Sequence, residues 1–263
     1  MALFLVKVLI APSFVVCASL AGRRFGSRIG GLIAGLPVVA GPILLVYALE
    51  HGSSFAANAA VGTLLGLVSL IAFGVIYARA ANRASWGASL LAGWFAFALA
   101  TVIFSAVTVS AGVALAVALA GLAIGLAVLP RPHPEPTEHG AMPGWDLPMR
   151  AGCALALVLS LTAIAGSLGP QLSGLLAPFP IIATVLAIFT HAQRGSDEVQ
   201  RMLRWLLSGY GAFAFFCFTL AVTLRAHGVG AAFALATAVA LLTQSLLLIV
   251  MARAGIVGSA AIE

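Results

Sequence analysis

An apolar motif interrupted by proline occurs twice in this chain of 263 residues. Residues 31–40 read GLIAGLPVVA, and residues 174–183 read GLLAPFPIIA, 143 positions later. The same offset relates three further pairs, namely Gly52 and Gly195, Gly66 and Gly209, and Phe73 and Phe216. Duplicated hydrophobic halves with interrupted helices are typical of membrane transport folds. We interpret the chain as an internal duplication.

Composition indicates the class of protein. Hydrophobic residues make up 62% of the chain and charged residues 8%, whereas a soluble domain carries about a quarter charged residues. The sequence therefore predicts an all-α, polytopic transmembrane helix bundle whose main partner is the lipid bilayer. The excess of basic over acidic residues forms no stretch dense enough to bind nucleic acid.

Runs of about twenty apolar residues predict about nine membrane-spanning helices. They begin near Leu3, Gly30, Ala57, Gly87, Val109, Arg150, Leu172, Leu203 and Ala231. The stretch from Gly87 to Leu129 is too long for one span, so we interpret it as a two-helix hairpin. A Pro-rich cytoplasmic linker, residues 130–149, then separates a first repeat of five helices, residues 1–129, from a second of four, residues 150–263.

The distribution of basic residues predicts the orientation. With the N-terminus outside and the C-terminus inside, eleven of the thirteen basic residues lie on the cytoplasmic side, and only Lys7 and Arg225 lie outside. Because the first repeat has an odd number of spans, the second starts from the opposite face of the membrane. Such inverted repeats bring Pro37 and Pro180 to similar depth on facing helices, where this kind of fold places substrate.

The proline helices supply the candidate site. Proline removes a backbone N–H and frees a carbonyl, which is tolerated in a membrane against protein or a wet cavity. We predict a substrate pathway lined by Gly31, Gly35, Pro37, Gly41, Pro42, Pro178, Pro180 and Thr184. The alternative is that these residues only kink and pack the helices. Glu50, which ends the first proline helix, is a candidate coupling or gate residue, with a solvated helix end as the alternative.

Sequence motifs for catalysis or cofactor binding do not occur. The HExxH, CxxC, GxGxxG and Walker patterns are absent, and the five histidines form no i, i+4 pair. We therefore expect no enzyme activity, no cofactor and no metal. Spacing of the GxxxG type at Gly26 and Gly30, Gly31 and Gly35, and Gly121 and Gly125 leaves a homodimer open, with packing inside one chain as the alternative.

The second half carries a family resemblance. The stretch LLAPFPIIA from Leu175, followed by Gln193-Arg-Gly-Ser and an apolar helix, resembles the GlpM-like small bacterial membrane proteins, which consist of a single repeat. Through the internal repeat the resemblance extends to the first half, so the chain resembles a fused, inverted pair of such units. It implies a multi-pass protein of the bacterial inner membrane and brings no catalytic residues.

Two functions remain as expectations. The first is a small inverted-repeat transporter or exporter of a small neutral or weakly charged solute, because little charge is buried. The alternative, suggested by the resemblance, is a non-catalytic inner-membrane accessory protein for envelope polysaccharide or lipid assembly. A lipid-modifying enzyme ranks last, because no acid, base or metal cluster lies at a plausible depth. A water-accessible cavity between Pro37 and Pro180 would favour transport, and a tightly packed interface there would favour the accessory role.

Overall fold

The computed structural model describes residues 2–131, 143–165 and 175–253, and all regular structure in these ranges is helical. The predicted all-α class is thereby confirmed. The helices are α1 Ala2–Phe25, α2 Ser27–Ala34, α3 Ala40–His51, α4 Ser53–Ala80, α5 Trp86–Ser105, α6 Ala111–Val128, α7 Asp146–Ala165 and α8 Ile181–Arg253. Of the predicted linker, residues 132–142 lie outside the described ranges, as does the predicted helix start at Leu172.

The described residues form eight helices, so the predicted number of about nine is wrong. The first proline span is divided into α2 and α3, whereas α8 joins apolar stretches that the sequence separates. Two residues inside α8 leave helical geometry, Gly195 with φ 81° and Gly228 with φ 75°. Glycine adopts this conformation without steric cost, and Gly52 has it between α3 and α4. The two glycines divide α8 into a first segment, 181–194, a second, 196–227, and a third, 229–253.

Four helices are long and apolar enough to cross a membrane, as judged by length and composition. They are Ser53–Ala80, Trp86–Ser105, Ala111–Val128 and Ile181–Arg253. The stretch from Gly87 to Leu129, predicted to be a hairpin, contains the greater part of α5 and all of α6, separated by residues 106–110. These findings indicate a membrane protein.

The centre of the bundle consists of α4 and the second segment of α8. At one end, the side-chain oxygen of Asn58 accepts a hydrogen bond from Arg225 at 2.7 Å. At the other, the side-chain oxygen of Asn82 accepts one from Gln200 at 2.5 Å. The start of each element therefore lies beside the end of the other, so the two run antiparallel. The offset of 143 residues relates these two elements to each other.

Two glycines in these central helices allow close backbone approach. A Cβ atom on Gly66 would lie 2.5 Å from the carbonyl oxygen of Leu175 and 2.8 Å from Cγ of Pro178. A Cβ atom on Gly209 would lie 2.8 Å from the carbonyl oxygen of Leu32 and 3.0 Å from Cα of Gly35. The offset of 143 maps each contact site onto the other, because Gly66 corresponds to Gly209 and Gly35 corresponds to Pro178.

Several glycines with GxxxG spacing face other parts of the same chain. A Cβ atom on Gly30 would lie 2.8 Å from Cα of Gly22, and one on Gly125 would lie 2.5 Å from Cγ2 of Ile71. A Cβ atom on Gly121 would lie 3.3 Å from Cγ1 of Val68. These small residues therefore bring helices of one chain close together.

Candidate functional site

The helical backbone is interrupted at residues 35–39, the first break, and at residues 177–180, the second break. In the first break, the N–H of Val38 donates to Leu36 and that of Gly41 donates to Pro37, both at 2.8 Å. The second break has the equivalent bonds at 2.7 Å. They run from Ile181 to Phe179 and from Thr184 to Pro180. In each break the proline nitrogen has no hydrogen to donate, whereas the proline carbonyl accepts a bond from the residue four positions later, where helical pairing resumes.

The two breaks face each other across a cavity of about 40 Å³. Its walls include three prolines, Pro37, Pro178 and Pro180, together with Leu70, Tyr210 and Phe213. The named lining residues of the two breaks are Ala34, Leu36, Pro37, Val38, Val39, Ala40, Ala177, Pro178, Phe179, Pro180, Ile181, Ile182 and Ala183. A space of this size holds about one water molecule, and its lining is almost entirely apolar. The interface between the breaks is therefore nearly closed in this structure.

A much larger cavity of about 780 Å³ adjoins the first break. Its lining residues are Ser13, Phe14, Cys17, Leu36, Pro37, Val38, Gly41, Pro42, Leu45, Phe216, Phe233, Thr237, Ala240 and Leu241. None of these described residues is charged, and Ser13 and Thr237 supply the only hydroxyl groups among them. The volume falls within the range of about 300–1,000 Å³ that small-molecule sites occupy.

This larger cavity opens sideways, between α1 and the third segment of α8. Ser13 and Cys17 on α1 are exposed, as are Thr237 and Leu241 on α8, whereas Phe216 at the back is buried. The exposed residues lie near the middle of their helical segments, away from the helix ends. The opening therefore lies at the side of the bundle, away from the ends of these helices.

Aromatic side chains from α5 fill the equivalent space beside the second break. The indole N–H of Trp94 donates to the hydroxyl of Thr184 at 3.0 Å. The Phe97 ring contacts Phe179 edge to face with 5.4 Å between centroids, and Trp94 lies 6.2 Å from the same ring. The second break is thus sealed by α5.

A buried carboxylate joins three helices at the end of the bundle where α1 ends and α7 begins. Asp146 accepts hydrogen bonds from Arg23 at 2.6 Å, from Arg150 at 2.8 Å and from Gln193 at 2.5 Å. Asp146 is 0% exposed and Arg150 3%. Burial raises the pKa of the Asp146 carboxyl, but its hydrogen bonds with Arg150, Gln193 and Arg23 outweigh burial and leave the pKa below its ordinary value. We call these four residues the Asp146 cluster.

The structure places the predicted pathway residues in three different environments. Pro37, Gly41 and Pro42 line the larger cavity, and Pro37 also lines the small one. Pro178 and Pro180 line the small cavity alone. Of the predicted pathway residues, the larger cavity thus gathers those in and beside the first break.

The remaining predicted residues pack against neighbouring helices. Gly31 approaches the carbonyl oxygen of Met202, and Gly35 approaches Cα of Gly209. Thr184 is buried with its hydroxyl bonded to Trp94. Glu50 is exposed at the end of α3. A role for these four residues in transport or coupling stays a prediction.

Sequence reasoning missed the Asp146 cluster and the wall that the third segment of α8 contributes to the larger cavity. Two signals were available. Asp146 precedes Arg150 by four residues, the spacing at which helical side chains meet. Extending the offset of 143 into the next apolar segment pairs Trp94 with Thr237, which reveals a large difference in side-chain size.

Among the described residues, no group of three or more His, Cys, Asp or Glu side chains could hold a metal ion. The chemistry that the site offers is apolar contact, two hydroxyl groups and the backbone of a broken helix. No protein-family model, curated protein or solved structure matches this chain.

Proposed function

We propose that this chain is a small membrane transporter or exporter built from two inverted repeats, and that it moves a small neutral or weakly charged solute past its proline breaks. The observation that carries the proposal is the pair of breaks with equivalent hydrogen bonds, facing each other inside the bundle. Interrupted helices that meet between repeats are where transporters of this kind bind substrate.

The inverted relation is supported by contacts between sequence-equivalent elements. The two bonds Asn58–Arg225 and Asn82–Gln200 make α4 and the second segment of α8 antiparallel. The offset of 143 also carries α1 onto 145–168, a range that contains α7. Elements that repeat in sequence and oppose each other in space are expected of inverted repeats.

Arginine positions support an orientation with the N-terminus outside and the C-terminus inside. Arg79 and Arg204 donate to backbone carbonyls at the end of α6, at 3.1 Å to Val128 and 2.8 Å to Leu129. Arg225 lies at the opposite end of the second segment, beside Asn58. An arginine-rich end of this kind faces the cytoplasm. The GlpM-like resemblance favours the bacterial inner membrane.

Transport requires the closed space between the breaks to open. In this structure the 40 Å³ cavity separates them, while the 780 Å³ cavity reaches the first break from the side. We infer a closed state in which solute has access to the first break only. Rocking of one repeat against the other about the glycine contacts would expose the second break.

A second candidate function is favoured by the character of the larger cavity. Its lining is apolar, and it opens towards lipid rather than towards either aqueous face. A non-catalytic inner-membrane accessory protein for lipid or polysaccharide assembly would use such a cavity without any pathway across the membrane. A homodimer, whether the protein is a transporter or an accessory protein, would need contact surfaces other than the glycines that already pack inside the chain.

Cysteine accessibility distinguishes the two functions. Single cysteines are placed along residues 33–45 and 176–188 in a background without the three native cysteines, and a charged thiol reagent is added from each side of the membrane. Transport predicts that positions such as Val38→Cys and Ile181→Cys react from at least one side. Leu242→Cys, 70% exposed on the outer surface of the bundle, is the control that lipid should protect. Protection of both stretches from both sides would contradict transport.

A further inference from the structure

The larger cavity exists because small side chains replace large ones at equivalent positions of the two repeats. Four pairs of equivalent residues account for the difference. In each pair, the smaller residue lines the cavity and the larger residue packs at the second break. The pairs are Thr237 and Trp94, Ala240 and Phe97, Leu36 and Phe179, and Gly41 and Thr184. Other lining residues are larger than their counterparts, including Phe233 against Leu90, Leu241 against Ala98, and Phe14 against Leu157. Phe233 contacts Phe216 edge to face at the side wall.

This space needs an occupant. Protein interiors are close-packed, and atoms that line an empty space lose their dispersion contacts. Water is a poor candidate to fill it, because each ordered water needs two to four polar partners, and the described side chains of the lining offer two hydroxyls, Ser13 and Thr237, in a volume of about 780 Å³. The occupant is therefore apolar over most of its surface, as the rings of Trp94 and Phe97 are at the second break.

The opening indicates the source of the occupant. It lies between α1 and the third segment of α8, at a depth where the solvent is hydrocarbon. We propose that the cavity binds one hydrocarbon chain of a bilayer lipid, which enters sideways and reaches Pro37 and Gly41 at the first break. This inference deepens the proposed function by naming an amphipathic, lipid-like solute as substrate class. Movement of the lipid rests on the proposed transport function, whereas binding of the lipid does not.

Binding is tested by photolabelling the full chain in nanodiscs made with a phospholipid that carries a diazirine in its acyl chain. We expect label to concentrate at residues 36–45 and 233–241, identified by mass spectrometry of peptides. The double variant Thr237→Trp/Ala240→Phe rebuilds the aromatic filling of the second break and should reduce that label by about tenfold, equivalent to about 1.4 kcal/mol. Leu242→Trp is the control, because Leu242 is 70% exposed and outside the cavity, and it should leave the label unchanged.

A second variant guards against a folding defect in the first. Gly41→Leu occupies the same cavity from α3, where a Cβ atom would lie 3.4 Å from the Phe216 ring. It should also lower the label, while both variants elute as the parent does in size-exclusion chromatography. Even labelling along all lipid-facing helices, unchanged in both variants, would overturn the proposal.

Failure of binding and failure of transport give different results. Concentrated label together with breaks that are closed to water from both sides would establish a lipid site without transport. Breaks open to thiol reagent together with even label would leave a transporter whose solute binds elsewhere.

Discussion

The two proline breaks have the same backbone hydrogen bonds and different neighbours. Beside the second break, Trp94 and Phe97 contact Phe179 and Thr184. Beside the first break, the equivalent positions hold the smaller residues Thr237 and Ala240, and a cavity of about 780 Å³ opens at the side of the bundle. The repeat therefore sets where the helices break, and the helix that packs against each break decides whether a ligand fits there.

The lipid binding that we propose therefore assigns a ligand site to one of two similar halves. A duplicated pair of identical sites would bind equally in both halves, whereas filling one of them directs the ligand to the other. The predictions that follow test this difference and the contacts on which it depends.

The largest effect is expected where α1, the outer wall of the cavity, is held beside α7. Asp146→Asn removes the carboxylate that receives Arg23, Arg150 and Gln193. Arg150, only 3% exposed, then keeps its charge without an ion partner, which we expect to cost about 3–5 kcal/mol of unfolding free energy. Thermal unfolding in detergent measures the loss. Asp197→Asn, at a half-buried position of α8 outside the Asp146 cluster, is the control and should change stability less.

The pH dependence of stability checks the same carboxylate. Its pKa in the folded protein lies below the ordinary value, so the ionised form is favoured by folding. Its contribution is present above the unfolded pKa of about 4 and is lost as the pH falls through the lower folded pKa. We therefore expect the parent protein to lose stability below about pH 4, and Asp146→Asn to lose less over the same range. Equal acid sensitivity in both would contradict the assignment.

Exchanging side chains between the two breaks tests the comparison directly. Phe97→Ala removes a buried ring that seals the second break and should cost about 3 kcal/mol, mainly through lost packing. Ala240→Phe, the reverse change at the equivalent position, places a ring in space that is already present and should be tolerated within about 1 kcal/mol. Similar losses in both variants would show that the cavity beside the first break does not accept an added ring.

Helical class and the location of both breaks were predictable from the sequence. Composition required helices in a membrane, and Pro37 and Pro180 fixed where each proline span is interrupted. The number of helices was not predictable from apolar runs, because Gly195 interrupts α8 at a single residue and Pro37 interrupts its span over five. Hydropathy does not register either kind of interruption.

The site was only partly predictable. Residues that break a helix were identified, but which break borders a cavity depends on α5 and the third segment of α8, distant in sequence from both breaks. The Asp146 cluster is a second example. Arg23 and Asp146 are separated by 123 positions, so no local pattern joins them.

A smaller effect is expected at the two glycine contacts, which the repeat predicts to be equivalent. Gly66→Ala and Gly209→Ala each place a Cβ atom within 3.0 Å of backbone from the opposite half, and each should cost about 1–3 kcal/mol. Gly211→Ala is the matched control, because its Cβ would meet only a side-chain atom of Leu122 at 4.0 Å. A large difference between the first two variants would show that the halves do not cross in equivalent ways.

The smallest effect concerns the two ends of the central antiparallel pair. Asn58→Ala removes the partner of Arg225, and because both side chains are exposed we expect a loss of about 0.5 kcal/mol or less. Asn82→Ala removes the partner of Gln200, which is 1% exposed and would retain an unpaired buried amide, so the expected loss is about 1 kcal/mol.

Thermal unfolding of the two single variants and the double variant measures both losses of stability and shows whether they add. The two sites lie at opposite ends of the helix pair, so their losses should add. If Asn58→Ala were the costlier change, burial of Gln200 would not decide the size of the loss. If the losses failed to add, the two ends would be coupled, and the central pair would respond to a change at either end as one unit.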